Sequence, residues 1–182
     1  MKLKPNCLLT RRPIYLIPAA RSLFFYTRPW GRLESALIEH GYKASVHPLP
    51  FNNQSQREQI FSQSITKLSD THLVFDSVTI LEFEQLVINI QNSTFTVITN
   101  SNEEFIEIKK TLKLHYSSKL YNFIHNENHS VLNYNIHRLC LKSQGIKTPL
   151  PNCLFLNVSD NVLYKFIDHM VLLAELDFMS DS

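Results

Sequence analysis

Short apolar runs bounded by turn residues alternate along this chain with longer segments whose apolar positions recur at helical spacing. Residues 13–18, PIYLIP, form an apolar run between two prolines and predict a buried strand. After a loop over 19–28, Pro29 stands where proline is tolerated at a helix start. Trp30, Leu33, Leu37 and Ile38 follow at helical spacing, and Gly41 supplies the C-cap. Residues 42–49 predict a second strand, closed by Pro50 and a polar loop over 52–55. Residues 56–68 predict an amphipathic helix with Ile60, Phe61, Ile65 and Leu68 on one face, ended by Ser69-Asp70. The same reading gives a strand over 71–75, a helix over 79–90, a strand over 94–99 and a helix over 102–114 begun by Asn102 with Glu103 and Glu104. Beyond that the pattern offers a strand over 119–124, a helix over 130–141, a strand over 153–158 and a closing helix over 170–179. Residues 162–167 read either as a further strand or as part of that helix.

Strands separated by single helices imply parallel crossovers, and runs such as LVF and FTVIT suit strands covered on both faces. The expected class is α/β: three αβα layers around a mostly parallel central sheet, in one domain over residues 1–182 with an N-terminal extension over 1–11. The 182 residues, 44% apolar and 19% charged, suit one globular domain, and the pattern holds no internal repeat, linker or low-complexity stretch.

Composition removes several functions. Only Gly31, Gly41 and Gly145 are present, where ordinary usage would give about thirteen glycines. Phosphate loops and dinucleotide fingerprints need several glycines close together, so neither can be written here and no such cofactor is expected. A net charge of +2 with scattered Lys and Arg offers no basic face for nucleic acid. Cys7, Cys140 and Cys153 are odd in number and far apart, which suits a reducing compartment, and no apolar run reaches the ~20 residues of a membrane span. A cytoplasmic protein is expected. His125, His129 and His137 with Glu127 suggest imidazoles on one helical face, but no H-E-x-x-H or cysteine pair completes a metal site, and none is expected.

The stretch 72–83, HLVFDSVTILEF, delivers Ser77 from a strand into a helix. With PIYLIPAARS before it, RPWGRLESALIEHGYKASVHPLPF between, and IDHMVLL near the end, the chain resembles the α/β-hydrolase superfamily, specifically its small bacterial lipases. The similarity covers roughly residues 12–100 and the last twenty, with serine before histidine as in the family. It implies a minimal α/β-hydrolase-like fold and carboxyl-ester hydrolysis. Ser77 would be the nucleophile, His169 the base, Glu127 or Asp160 the orienting acid, and the amides of Val78 and Ala19 the oxyanion donors. Phe24, Phe25 and Trp30 would line an apolar acyl site for a small ester or lipid-like ligand.

Departures gather at the chemistry. Pro18-Ala19 replaces the family's His-Gly, Phe75 and Thr79 replace the glycines that flank the nucleophile, and the expected aspartate is missing after 119–124. Each candidate therefore carries a second reading: Ser77 as a helix cap, His169 as a capping or solvent-exposed histidine, the carboxylates as solvated loop residues, and the aromatic rings as packing on the first helix. Together these give the alternative to an esterase, a catalytically inactive pseudohydrolase that binds a ligand or a protein partner.

Overall fold

The computed structural model describes residues 12–20, 30–50, 53–124 and 160–180. Five strands, β1 (Ile14–Leu16), β2 (Ala44–Val46), β3 (His72–Asp76), β4 (Thr94–Thr99) and β5 (Lys119–Ile124), form an all-parallel sheet in the order β2-β1-β3-β4-β5. The helices are α1 (Leu33–Glu39), α2 (Gln54–Gln63), α3 (Ile65–Leu68), α4 (Ser77–Glu82), α5 (Glu84–Val87), α6 (Asn102–Thr111) and α7 (Asp160–Ser180). They cover both faces, so the fold is the three-layer α/β arrangement that the alternation predicts.

Side-chain alternation along the strands builds two cores. Ile14, Leu16, Val74, Ile98 and Phe123 point to one face and meet Leu33 and Leu37 of α1 and Phe166, Met170 and Leu173 of α7. Leu73, Phe75, Phe95 and Val97 point to the other and meet Phe61, Leu68, Ile80, Phe83, Val87 and Ile108 from α2 to α6. All residues of β3 and β4 are buried, as expected for strands enclosed between helical layers.

Several boundaries move for identifiable reasons. Helix α2 starts at Gln54 because Asn53 caps it, its side chain accepting from the Gln56 amide at 3.0 Å. The predicted helix over 56–68 breaks at Ser64, and that over 79–90 begins at Ser77 and breaks at Phe83, although apolar spacing continues across both breaks. Ser101, rather than Asn102, caps α6 through the Glu104 amide at 3.2 Å. His40 holds the C-cap of α1, and Gly41 follows at φ 89°, the left-handed residue beyond the cap. Residues 162–167 continue α7, which starts ten residues before the expected closing helix. The predicted elements over 130–141 and 153–158 lie outside the described residues.

Beneath the carboxyl ends of β1 and β2 lies Arg57, wholly buried. Its Nε and Nη2 donate to both carboxylate oxygens of Glu82 at 2.6 and 2.9 Å. Nη1 donates to the Pro50 carbonyl at 2.8 Å and Nη2 to the Pro18 carbonyl at 2.7 Å. The guanidinium also lies 5.6 Å from the Phe83 ring centroid, and Phe83 stacks on Phe61 at 4.2 Å. One cation thus joins the exits of β1 and β2 to α2 and α4. Arg57→Met should lower the unfolding free energy by about 3–5 kcal/mol, because Glu82 is left buried without its partner. Adding Glu82→Leu should recover part of the loss but not all, since the Pro18 and Pro50 carbonyls stay unpaired; urea unfolding of the two singles and the double measures the coupling.

Candidate functional site

In an open parallel sheet, a crevice forms outside the carboxyl ends of two neighbouring strands whose connections leave toward opposite faces. Here those strands are β1 and β3. Their exits are Ile17 to Ala20 on one side and Asp76-Ser77 on the other, with the Ile17 amide still bonded to the Val74 carbonyl at 2.9 Å. This is where the resemblance puts an oxyanion loop and a nucleophile.

The turn out of β3 is organised by Asp76. Its backbone is extended, at φ −80° and ψ 166°, and its Oδ1 accepts from the Val78 amide at 3.0 Å and the Thr79 amide at 2.6 Å. Asp76, and not Ser77, is the N-cap of α4. Ser77 is the first helical residue, buried at 5% exposure, and its φ is not positive. Its hydroxyl has no hydrogen-bond partner among the described residues. Burial pushes the Asp76 carboxyl up to about 6, and nearby Glu82 pushes the same way, against the pull of the Thr79 and Val78 hydrogen bonds.

Phe75, where the resembling family has a small residue, points away from the crevice into the second core. It stacks on Phe95 at 6.2 Å and meets Phe61 edge-on. Thr79, in the first turn of α4, is buried and carries the branched Cβ that a glycine lacks. On the opposite side Ala19 is half-buried and follows Pro18, whose carbonyl is held by Arg57.

His169 lies in the interior of α7, nine residues after its start, and faces the sheet. Its Nε2 is 3.3 Å from Thr96 Oγ1, which is 3.1 Å from His72 Nε2. The ring packs against Phe123 and Phe166. Thr96 pairs with Val74, so the imidazole is anchored at that level of the sheet, and Ser77 lies roughly 10 Å further along the strand direction. Burial lowers His169 to about 4 and His72 to about 3, with His169 and Arg12 adding to the second shift.

The structure thus brings Ser77 and Val78 together with Asp76, and joins His169 to Thr96 and His72. Trp30 is buried with Leu33 and Leu37 of α1 in the first core, at φ 67°. Asp160 is the first residue of α7, and its side chain is outside the description, as are Phe24, Phe25 and Glu127. His125, His129 and His137 also lie outside it; among the described residues no group of three or more His, Cys, Asp or Glu side chains is gathered as a metal site.

Sequence reasoning passed over Asp76, Arg57, His72 and Thr96. Two carried a signal: Arg57 stands four residues before Phe61 on the buried face of its helix, and Asp76 is a preferred capping residue at a strand-to-helix junction. The histidine chain had none, because its members are far apart in sequence.

Comparison with protein-family models, with curated proteins and with solved structures finds no match to this chain.

The raised carboxyl fixes the sign of one measurable effect. A folded-state value near 6, above the ordinary 3.8, means that Asp76 contributes stability that is complete below pH 3.8 and lost as pH rises through about 6. Asp76→Asn keeps a capping oxygen and cannot ionise. It should be more stable than the parent above pH 7, with the gap closing by pH 4, in thermal melts across that range. Asp76→Ala also cannot ionise: it should lose about 1 kcal/mol at pH 4 through the missing cap, and that loss should shrink as the pH rises through about 6.

Proposed function

We propose that this chain is an α/β-hydrolase-like, lipase-related pseudohydrolase: a binding module in which the nucleophile position no longer performs ester hydrolysis. The observation that carries the reading is the Asp76 cap. Acyl transfer at Ser77 would need the Val78 amide free to meet the developing oxyanion. That amide already donates to Asp76 Oδ1 at 3.0 Å. An ionised carboxylate at this spot also sets negative charge beside the position where negative charge would develop. Loss of one oxyanion donor alone slows such reactions ~10²–10³-fold.

The remaining geometry supports the same reading. A nucleophilic serine is activated by a hydrogen-bonded base, and the His169 Nε2 is bonded to Thr96. Ser77 in helical geometry lacks the strained turn that lifts a nucleophile out of the sheet. The ligand class follows the resemblance: a small apolar ester or lipid-like molecule, or a protein partner, held near the exits of β1 and β3. The scattered cysteines and the lack of a basic face favour a cytoplasmic protein that does not bind nucleic acid. Among the described residues no helix is long and apolar enough to cross a membrane.

The esterase reading, with Ser77 and His169 assisted by Glu127 or Asp160, is the opposite outcome of one experiment. The protein is incubated with short- and medium-chain p-nitrophenyl esters and with a fluorophosphonate probe, beside Ser77→Ala. Equal, background-level turnover and labelling in both proteins are expected; turnover or labelling that disappears in Ser77→Ala would overturn the proposal.

A further inference from the structure

Through the largely apolar face of the sheet beneath α7 runs a hydrogen-bonded polar chain, His72–Thr96–His169. Around it lie Val74, Ile98 and Phe123 of the strands and Phe166, Met170 and Leu173 of the helix. His72 and Thr96 are wholly buried, and His169 is half-buried. Buried polar groups of this kind specify one arrangement only if every hydrogen has an acceptor.

Counting protons fixes the tautomers. Thr96 has one hydroxyl hydrogen and sits between two ring nitrogens, so it donates to one imidazole and accepts from the other. His72 Nδ1 is buried with no partner. An orphaned N–H is rarer and more costly than an orphaned lone pair, so the His72 proton belongs on Nε2, donating to Thr96. Thr96 therefore donates to His169 Nε2, and the His169 proton is on Nδ1. The docked helix requires a lone pair at His169 Nε2.

A proton from solvent has that same lone pair as its landing place on His169. Once it binds, the Thr96 hydroxyl loses its acceptor, and a cation points toward His72, which already feels Arg12. The charged groups on the packed elements offer no relief. Asp76 of β3 is committed to the Val78 and Thr79 amides, and Glu34 of α1 accepts from the Val46 amide. Lys119 of β5 adds positive charge and is exposed, while Asp168 of α7 is exposed and acts on Tyr42. No carboxylate bonds to either imidazole among the described residues.

We propose that α7 is an acid-releasable strap, docked on the sheet while His169 and His72 are neutral and lifted from it when they take up protons. The sign follows from linkage. Both folded-state values, about 4 and about 3, lie below the ordinary 6.5, so the released state binds more protons than the docked one. Docking is complete above pH 6.5 and is lost as the pH falls from there toward about 4. Release uncovers Phe166, Met170 and Leu173 on the helix and Val74, Ile98 and Phe123 on the sheet.

Hydrogen exchange of the full chain at pH 7.5 and pH 5.0, corrected for intrinsic exchange rates, tests this. Peptides of α7 should lose protection by roughly tenfold or more relative to peptides of β4. His169→Gln preserves an acceptor for Thr96 but cannot titrate, and should remove at least half of that change on a logarithmic scale. Unchanged α7 protection, or equal loss in α7 and β4, overturns the proposal, and so does a His169→Gln protein that responds to acid like the parent. Should His169→Gln fail to fold, imidazole NMR titration of the parent decides instead. Either His72 or His169 titrating near 6.5 while α7 remains protected overturns the strap; both staying neutral until α7 protection is lost supports it.

Discussion

A single guanidinium ties together the chain where it leaves β1 and β2. Arg57 satisfies two carbonyls that leave the sheet, Pro18 after β1 and Pro50 after β2, and pairs with Glu82 at the far end of α4. Glycine-rich sheets bring their loops together by close backbone contact. With only three glycines in the chain, that route is closed, and a buried side chain with five donors takes its place. Dehydrating a cation and a carboxylate costs several kcal/mol each, a cost that close geometry and further hydrogen bonds offset. Here each of the three guanidinium nitrogens donates, in four hydrogen bonds altogether, and the backbone around the crevice inherits its geometry from that match.

Helix α4 shows how far side chains replace intrinsic preference. Six residues are too few for a stable helix in isolation. Asp76 holds its first turn by two amides, and Glu82 pins its last residue to Arg57. Ile80 provides the apolar contact between them. The element is short because it is fixed at both ends, and its position decides which backbone amides the crevice presents.

The fold was legible because its signals are local. The predicted strands over 94–99 and 119–124 agree with β4 and β5; in β4 an uninterrupted run of β-branched and aromatic residues leaves few alternatives, and in β5 Tyr121, Phe123 and Ile124 carry the same preference. The breaks at Ser64 and Phe83 were invisible, because Ile65, Leu68, Leu86 and Val87 continue the helical spacing on the far side of each. The site was far less legible. Arg57 and Glu82 are separated by 25 positions, and Thr96 and His169 by 73, so each polar residue looks solvated until the fold supplies its partner. Asp76 and Ser77 are the instructive neighbours. Both favour helix starts, and the extended backbone of the strand's last residue gave the cap to the aspartate.

That one-residue difference separates two uses of the same position in the fold. A strand running into a helix leaves the helix's first amides without intrahelical acceptors, and something must accept from them. In a hydrolase the acceptor arrives during the reaction, as the oxyanion, and the free amides are the catalytic resource. When Asp76 accepts from Val78 and Thr79, the same donors become permanent structure, and Ser77 is drawn into the helix they begin. Burial resists this arrangement, as the carboxyl's rise to about 6 records, yet the cap is made. An amide cannot both stabilise a resident carboxylate and wait for a transient anion; here the resident is in place, and the turn that resembles a nucleophile elbow is, in its hydrogen bonding, a capped helix start.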